Sequence, residues 1–328
     1  MSAQIAVANA LPAALDHYAR ELGQTLERIG VTDSLLGVSP VEGLDGFRGR
    51  ARMLTNALAN RSLRSRHGGP VLDLWPSLGL LEARSVSAPR SPQLLVLHDP
   101  VPLRRQVGFG PLVTRWAASA PSKKRPTIVV HSHAADRVVE ELLPQHVRRF
   151  ALHPVLSHEP IGAESLSNTV LIAGQFKPAR DVELIAALGR LLPQHGLRGR
   201  IVGRGWPDLA GWEVENRFVP ESELDELLAS ASAVVLPYSH YFQSGIAVRA
   251  LENGTLTVGR RTDFLEVLVG RRSPSLVDSG TAHAYARAIV ETVSLDRSGA
   301  TQALGDFRRR VDESWNALLG ELAGDYRA

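Results

Sequence analysis

Residues 227–261 read LLASASAVVLPYSHYFQSGIAVRALENGTLTVGRR. The apolar run at 233–236 suits a buried strand, and Pro237 with the polar residues up to 244 stops it. The pattern then predicts a helix over 246–253, Gly254 placed to end it, and a second β-branched strand over 255–258. Strand, loop, short helix, glycine, strand is the rhythm of a parallel α/β sheet. Such sheets collect ligands beyond the carboxyl ends of their strands. Ser244 and Gly245 stand where the helix begins, and the N–H groups of a first helical turn favour an anion.

The same alternation continues on both sides. Downstream, a strand is expected at 274–277 and helices over 281–293 and 304–322. Upstream come a strand at 216–219, a helix from 221 to 228 with an acidic start, and a strand at 199–202 running into Gly203 and Gly205. Before these lie a helix over 181–192 and a strand at 169–173 that ends at Gly174. Residues 152–167, LHPVLSHEPIGAESLS, are rich in proline, histidine and serine without a period, as a domain boundary would be. The first half carries strands at 4–8, 71–75, 94–97 and 127–130 and a helix over 15–29 that Gly30 can close. Residues 32–69 show no clear pattern, and Arg48, Arg50, Arg52, Arg61, Arg64 and Arg66 are expected on a solvated helix face. The organisation read from this is two α/β domains, 1–158 and 169–303, a hinge at 159–168 and a terminal helix over 304–328.

With 328 residues, 35.6 kDa and 44% hydrophobic residues, two cored domains are likewise expected on size. The absence of cysteine removes disulfides, thiolate catalysis and cysteine-based zinc sites. Aromatic residues make up only 5%, which argues against stacking platforms for nucleic acid. A net charge of +3 suits an anionic ligand or membrane surface better than a nucleic acid. The first residues lack the pattern of a signal peptide and no apolar run approaches a bilayer span, so a cytoplasmic protein is expected.

Chemistry-bearing residues cluster at strand ends. His98 and Asp99 follow the strand at 94–97 directly. His131 and His133 flank Ser132, which is placed to cap the next helix; without a third ligand nearby they do not make a metal site. Lys123, Lys124 and Arg125, with Arg104 and Arg105, form a basic edge open to anionic lipid. Neither a P-loop, a GxSxG elbow nor an HExxH helix occurs, and Gly203-x-Gly205 lacks the third glycine of a dinucleotide fingerprint.

With these residues in place, the second half resembles the donor-binding domain of the retaining GT-B glycosyltransferases of the large family-4-like group. The resemblance runs through GQFKPAR at 174–180, IVGRG at 201–205, RFVPESELDELL at 217–228 and the core at 233–254. The first half agrees more loosely, through LHDP at 97–100, VHS at 130–132 and HP at 153–154, and VDESW at 311–315 is similar to the family's terminal helix. Two departures stand out. Where the family has a glutamate pair, counting back from Gly254 gives Tyr241 and Arg249, with Gln243, Ser244 and Gly245 resembling a variant found in members without the pair. Gln175 replaces a usual arginine, and Arg180 takes a lysine position.

The resemblance implies two Rossmann-like α/β domains facing each other across a cleft, with a C-terminal helix crossing back to the first. It implies transfer of a sugar, with retention, from a nucleoside diphosphate donor to a glycan, lipid-linked or small-molecule acceptor, without tightly bound cofactor, metal or nucleic acid. A membrane-adjacent acceptor at the inner face of the membrane fits the basic edge. His98, Asp99 and Arg180 take the catalytic positions. Gly174, Gln175, Lys177, Arg180, Gly203, Gly205, Pro237, Tyr238, Gln243, Ser244, Gly245 and Glu252 take the donor side, Glu252 standing in for the missing ribose carboxylate. A cation is badly placed at the start of the helix at 181 unless an anion sits there, which singles out Arg180 for the diphosphate. Loss of the glutamate pair leaves two alternatives, a degenerate non-catalytic binding partner and, further off, a sugar-nucleotide epimerase.

Overall fold

The computed structural model describes residues 4–41, 46–102, 106, 108–158, 167–295 and 297–325. Arg104, Arg105 and residues 159–166 of the expected hinge lie outside them. The chain forms two compact units, Met1–Ser157 with Arg310–Ala328, and His158–Arg309.

The first unit contains β1 (Gln4–Ala8), α1 (Pro12–Arg28), β2 (Thr32–Leu35), α2 (Gly46–Arg66), β3 (Val71–Asp73), β4 (Gln93–Val96), α3 (Pro111–Ala118), β5 (Thr127–Val130), α4 (His133–Leu142) and β6 (Arg148–Phe150). Its strands are all parallel, in the order β2-β1-β3-β4-β5-β6. The central strands are apolar almost without break because both faces of a parallel sheet are covered. Pro12 opens α1 and Gly30, at φ +74°, closes it. Ser132 caps α4 by accepting from the Ala135 N–H at 3.1 Å.

The α2 arginines are not all on a solvated face. Arg61 and Arg64 are buried. Arg64 bridges Asp73 at the end of β3 (2.9 Å) and Glu82 in the turn at Gly79–Ala83 (2.5 Å), and Arg61 lies 3.4 Å from Glu82. Burial pushes the Asp73 carboxyl up to about 6 and that of Glu82 up to about 7, against the pull of Arg64. The inward face of α2 is held by ion pairs, so it has no apolar period to read.

The second unit contains β7 (Thr169–Ala173), α5 (Val182–Leu191), β8 (Arg198–Val202), β9 (Trp212–Glu215), α6 (Glu221–Ser230), β10 (Ala233–Leu236), α7 (Gly245–Glu252), β11 (Thr257–Arg260), α8 (Asp263–Val269), β12 (Leu276–Val277), α9 (Ala282–Val293) and the start of α10 (Arg297–Asp325). The strands are parallel in the order β12-β11-β10-β7-β8-β9. Val170 and Ile172 face the core under α5 and α9, whereas Leu171 and Ala173 face the core under α6 and α7. This is doubly wound packing, and the strand order reverses between β7 and β10.

Several boundaries differ from the sequence reading. The strand expected at 216–219 is β9, because Trp212 packs where Gly199 and Gly189 leave room; a Cβ at Gly199 would stand 2.6 Å from its ring. Thr255 is a connector, its hydroxyl donating to the Leu228 carbonyl at 2.7 Å, so β11 starts two residues later. The last helix begins at Arg297 rather than 304, and from Arg310 onward it belongs to the first unit. There Trp315 is fully buried and donates from its indole to the Leu152 carbonyl at 2.9 Å.

Candidate functional site

The reversal point of the second sheet is built by the loops that leave β7 and β10. Residues 179–181 run antiparallel to 237–239: Asp181 N–H donates to the Pro237 carbonyl (2.8 Å) and Ser239 N–H to the Ala179 carbonyl (3.1 Å). Asp181 also caps α5, accepting from the Leu184 N–H at 2.9 Å. The β7 loop is joined on its other side to the β8 loop. Phe176 N–H donates to the Arg204 carbonyl (2.9 Å), and the Trp206 indole to the Gly174 carbonyl (2.8 Å). Gly203 sits so close that a Cβ would stand 2.3 Å from the Gly174 oxygen. Asn216 fixes the turn, accepting from Gly205 N–H (2.7 Å) and donating to the Trp206 carbonyl (3.0 Å).

Arg180 lies in this corner, only 5% exposed. Its Nη2 donates to the Ala173 carbonyl at 2.9 Å and its Nε to the Tyr238 hydroxyl at 3.1 Å. The guanidinium packs over the rings of Trp206, at 4.6 Å, and Tyr238, at 5.1 Å. Nη1 is buried and, among the described residues, has no hydrogen-bond partner. Among the described residues no carboxylate pairs with this cation, and burial lowers its pKa from the usual value. A buried charge without a counter-charge is costly, and an anion reaching Nη1 would offset that cost.

Gly174 (φ +96°), Gly203, Pro237 and Tyr238 are gathered around Arg180. Lys177, half-buried, caps the same loop through its carbonyl, and Gln175 is exposed beside it. Gly205 (φ +81°) is exposed in the neighbouring turn. Ser244 caps α7 by accepting from the Ala247 N–H at 3.3 Å, and Ile246 in the first turn approaches Gly174. Gln243 and Gly245 flank that cap. Glu252 is not gathered with these residues: it is buried at the far end of α7, about 10 Å along the axis from Gly245.

Tyr241 and Arg249, the two positions that the sequence resemblance set against a glutamate pair, are built into the packing. Tyr241 is buried and donates to the Arg260 carbonyl at 2.9 Å. Arg249 is buried too, but forms a bidentate pair with Asp225 (2.6 and 2.9 Å) and an ion pair with Glu221. Of these two buried arginines in the second unit, Arg249 has its counter-charges and Arg180 does not.

In the first unit His98 is buried at the end of β4, its Nε2 donating to the Leu74 carbonyl at 3.0 Å. Asp99 beside it is half-buried. The Tyr18 ring stands edge-on to His98, with centroids 4.8 Å apart, and Trp75 stacks on the imidazole at 5.5 Å. The Tyr18 hydroxyl donates to His131 Nε2 at 2.8 Å while His131 Nδ1 donates to the Ala151 carbonyl at 2.7 Å. His153 closes the group 5.6 Å from His131, and burial depresses it to about 3. His133 is elsewhere, stacked on Phe150, so the His131/His133 pair shares no ligand geometry. Tyr18, Trp206 and Asn216 escaped the sequence reading; Trp206, directly after the Gly203/Gly205 turn, is the one its position could have signalled.

No family model and no curated protein matches the chain. Solved structures do. Sucrose-phosphate synthase from Thermosynechococcus elongatus aligns over 99% of this chain and 98% of its own, at 16% identity and TM-score 0.64. A UDP-forming α,α-trehalose-phosphate synthase from Burkholderia vietnamiensis aligns over 100% and 98%, at 11% identity and TM-score 0.63. HepE from Anabaena, solved with UDP and glucose, aligns over 98% and 100%, at 12% identity and TM-score 0.61. At such identities the likeness is one of fold: the chain has the GT-B fold, two Rossmann-like α/β units with a C-terminal helix.

Proposed function

We propose that the protein is a glycosyltransferase that moves a sugar, with retention, from a nucleoside diphosphate donor to a hydroxyl of a glycan, lipid-linked or small-molecule acceptor. The observation that carries this reading is Arg180, a buried cation with an unbonded Nη1 and, among the described residues, no carboxylate partner, at the reversal point of a parallel sheet. The anion that suits it is the donor diphosphate. Transfer breaks the bond between the anomeric carbon and a diphosphate oxygen, forms the glycosidic bond to the acceptor oxygen, and sends the hydroxyl proton to the departing diphosphate. Negative charge grows on that diphosphate, and Arg180, aided by Lys177 and the N-terminus of α7, stabilises it. Two of the structures with this fold are described by UDP, one as UDP-forming and one as a complex with UDP and glucose, which supports a nucleotide-sugar donor. His98 and Asp99 are proposed to act on the sugar.

Calorimetry with UDP, GDP, ADP and TDP tests this. One nucleotide is expected to bind and to lose most of its affinity in Arg180→Ala. If the folded protein binds none of them, or the variant binds as well as wild type, the assignment fails. His98→Ala is expected to keep the affinity and lose turnover; normal turnover removes that role.

A second reading is a non-catalytic nucleotide-binding protein, favoured by Tyr241 and Arg249, which occupy the glutamate positions and are committed to packing and ion pairs. Nucleotide binding without release of the diphosphate from any nucleotide sugar tried, in the presence of acceptors, would select it.

A further inference from the structure

The short helix α3 turns its apolar residues outward. Leu112 is 80% exposed, Trp116 one turn later is 41% exposed, and Ala117 faces inward. Val86, 47% exposed, lies on the neighbouring segment. That segment runs beside the turn at Ser122–Lys124: Ser85 N–H donates to the Lys124 carbonyl at 2.9 Å, and the Lys124 ammonium to the Val86 carbonyl at 3.5 Å. Arg84 links the two parts, its guanidinium 4.7 Å over the Trp116 ring. Arg115 and Lys123 are exposed on the same elements.

The cations here go unopposed in sequence. Between residues 83 and 135 the sole acidic residue is Asp99, which is half-buried after β4. Arg125, part of the basic edge read from the sequence, drops out, since it donates to the Ala120 and Gln145 carbonyls and staples two loops. What is left is a leucine, an indole and a valine at the centre, with Arg84, Arg115, Lys123 and Lys124 around them. Exposed apolar area of this kind marks a contact surface. Tryptophan with flanking cations suits the interface of an anionic bilayer, where each cation adds attraction and the ring sits at headgroup depth. Among the described residues no helix is long and apolar enough to cross a membrane, so a peripheral contact is in question.

We propose that the Leu112/Trp116 face docks on an anionic lipid surface. The proposal stands apart from the donor-site reading and neither needs nor supports it.

Co-sedimentation of the full chain with vesicles tests it, using phosphatidylcholine alone and an equimolar mixture with phosphatidylglycerol. Binding is expected only to the mixture, and to fall with added salt. Lys123→Gln/Lys124→Gln should weaken it about fivefold for each cation removed, and Leu112→Ser/Trp116→Ser about tenfold or more. Both pairs should keep the wild-type melting curve, which separates lost docking from lost folding. The proposal is overturned if folded wild type stays in the supernatant with anionic vesicles, or if both pairs bind like wild type. It is also overturned if light scattering finds a dimer that Leu112→Ser/Trp116→Ser dissolves while vesicles capture nothing, which would make the occupant a second copy.

Discussion

Arg180 and Tyr238 are joined twice. Their backbones form an isolated antiparallel bridge, and the Arg180 Nε donates to the Tyr238 hydroxyl at 3.1 Å. The loop after β7 is thereby tied to the loop after β10, the two strands between which the sheet order reverses. One nitrogen of the guanidinium stays unbonded inside this tie. The tie fixes the plane of the guanidinium, and a charge held in place in advance is what preorganised stabilisation requires.

A buried cation without a counter-charge costs stability that a binding site retains for its use. Arg180→Met is therefore expected to leave the melting temperature unchanged or raised, while nucleotide binding disappears. Tyr238→Phe strands the Arg180 Nε and should cost about 1–2 kcal/mol. In the Arg180→Met background the same change should cost under about 0.5 kcal/mol, because no donor remains to be stranded. Urea denaturation of the four proteins checks this; equal Tyr238→Phe costs in both backgrounds would remove the coupling.

Arg249 gives the opposite expectation. Asp225 and Glu221 are partly exposed, so their attraction to it is screened, yet the bidentate geometry holds Arg249 at 5% side-chain exposure. Arg249→Glu, which would restore the carboxylate of the resembling family, puts a third acid among those two. It is expected to destabilise the second unit by about 2 kcal/mol or more and to leave nucleotide affinity no better than wild type. Calorimetric titration beside a melting curve reads both numbers.

Much of this fold could be read without coordinates. β1, β5, β7 and β10 are short apolar runs closed by a polar residue, a glycine or a proline, and they were legible to the residue. What failed was held by interactions that leave no period. The inward side of α2 is held by Arg61 and Arg64 on Glu82, and β9 by one tryptophan against two glycines. Arg180 was legible as a cation at the wrong end of a helix. Its burial was not, because the groups that cover it, Trp206 and Tyr238, stand 26 and 58 residues away.

Gly203→Ala should be severe for a geometric reason. The residue holds φ at +146°, and its Cβ would meet the Gly174 carbonyl at 2.3 Å, backbone against backbone. The β7 and β8 loops must part, and with them the hydrogen bond from Trp206 that supports the Arg180 corner. A loss of about 2 kcal/mol or more is expected, together with nucleotide affinity. Gly205→Ala, strained in φ but with its nearest neighbour at 3.6 Å, should cost less. Similar losses for the two would show that φ alone matters.

The charged interior of the first unit makes stability depend on pH in two opposing ways. His131 and His153 are buried neutral, so their folded pKa values lie below the unfolded ones. Their contribution is present above the ordinary histidine range and is lost as pH falls through about 6.5, where the unfolded chain takes up the protons. Glu82 is shifted the other way, up to about 7 by burial. It binds its proton more tightly when folded, so its contribution is present at low pH and is lost as pH rises through 7. Between pH 7.5 and 5.5 it therefore offsets the histidines. Asp73, raised to about 6 by the same burial, adds to that offset. Glu82→Gln removes the Glu82 share, and although the variant is weaker throughout, its stability should fall more steeply on acidification, by about 2 kcal/mol over that window. Denaturation series at both pH values on wild type and variant give the difference; parallel slopes would mean that Glu82 does not take up its proton in the folded protein.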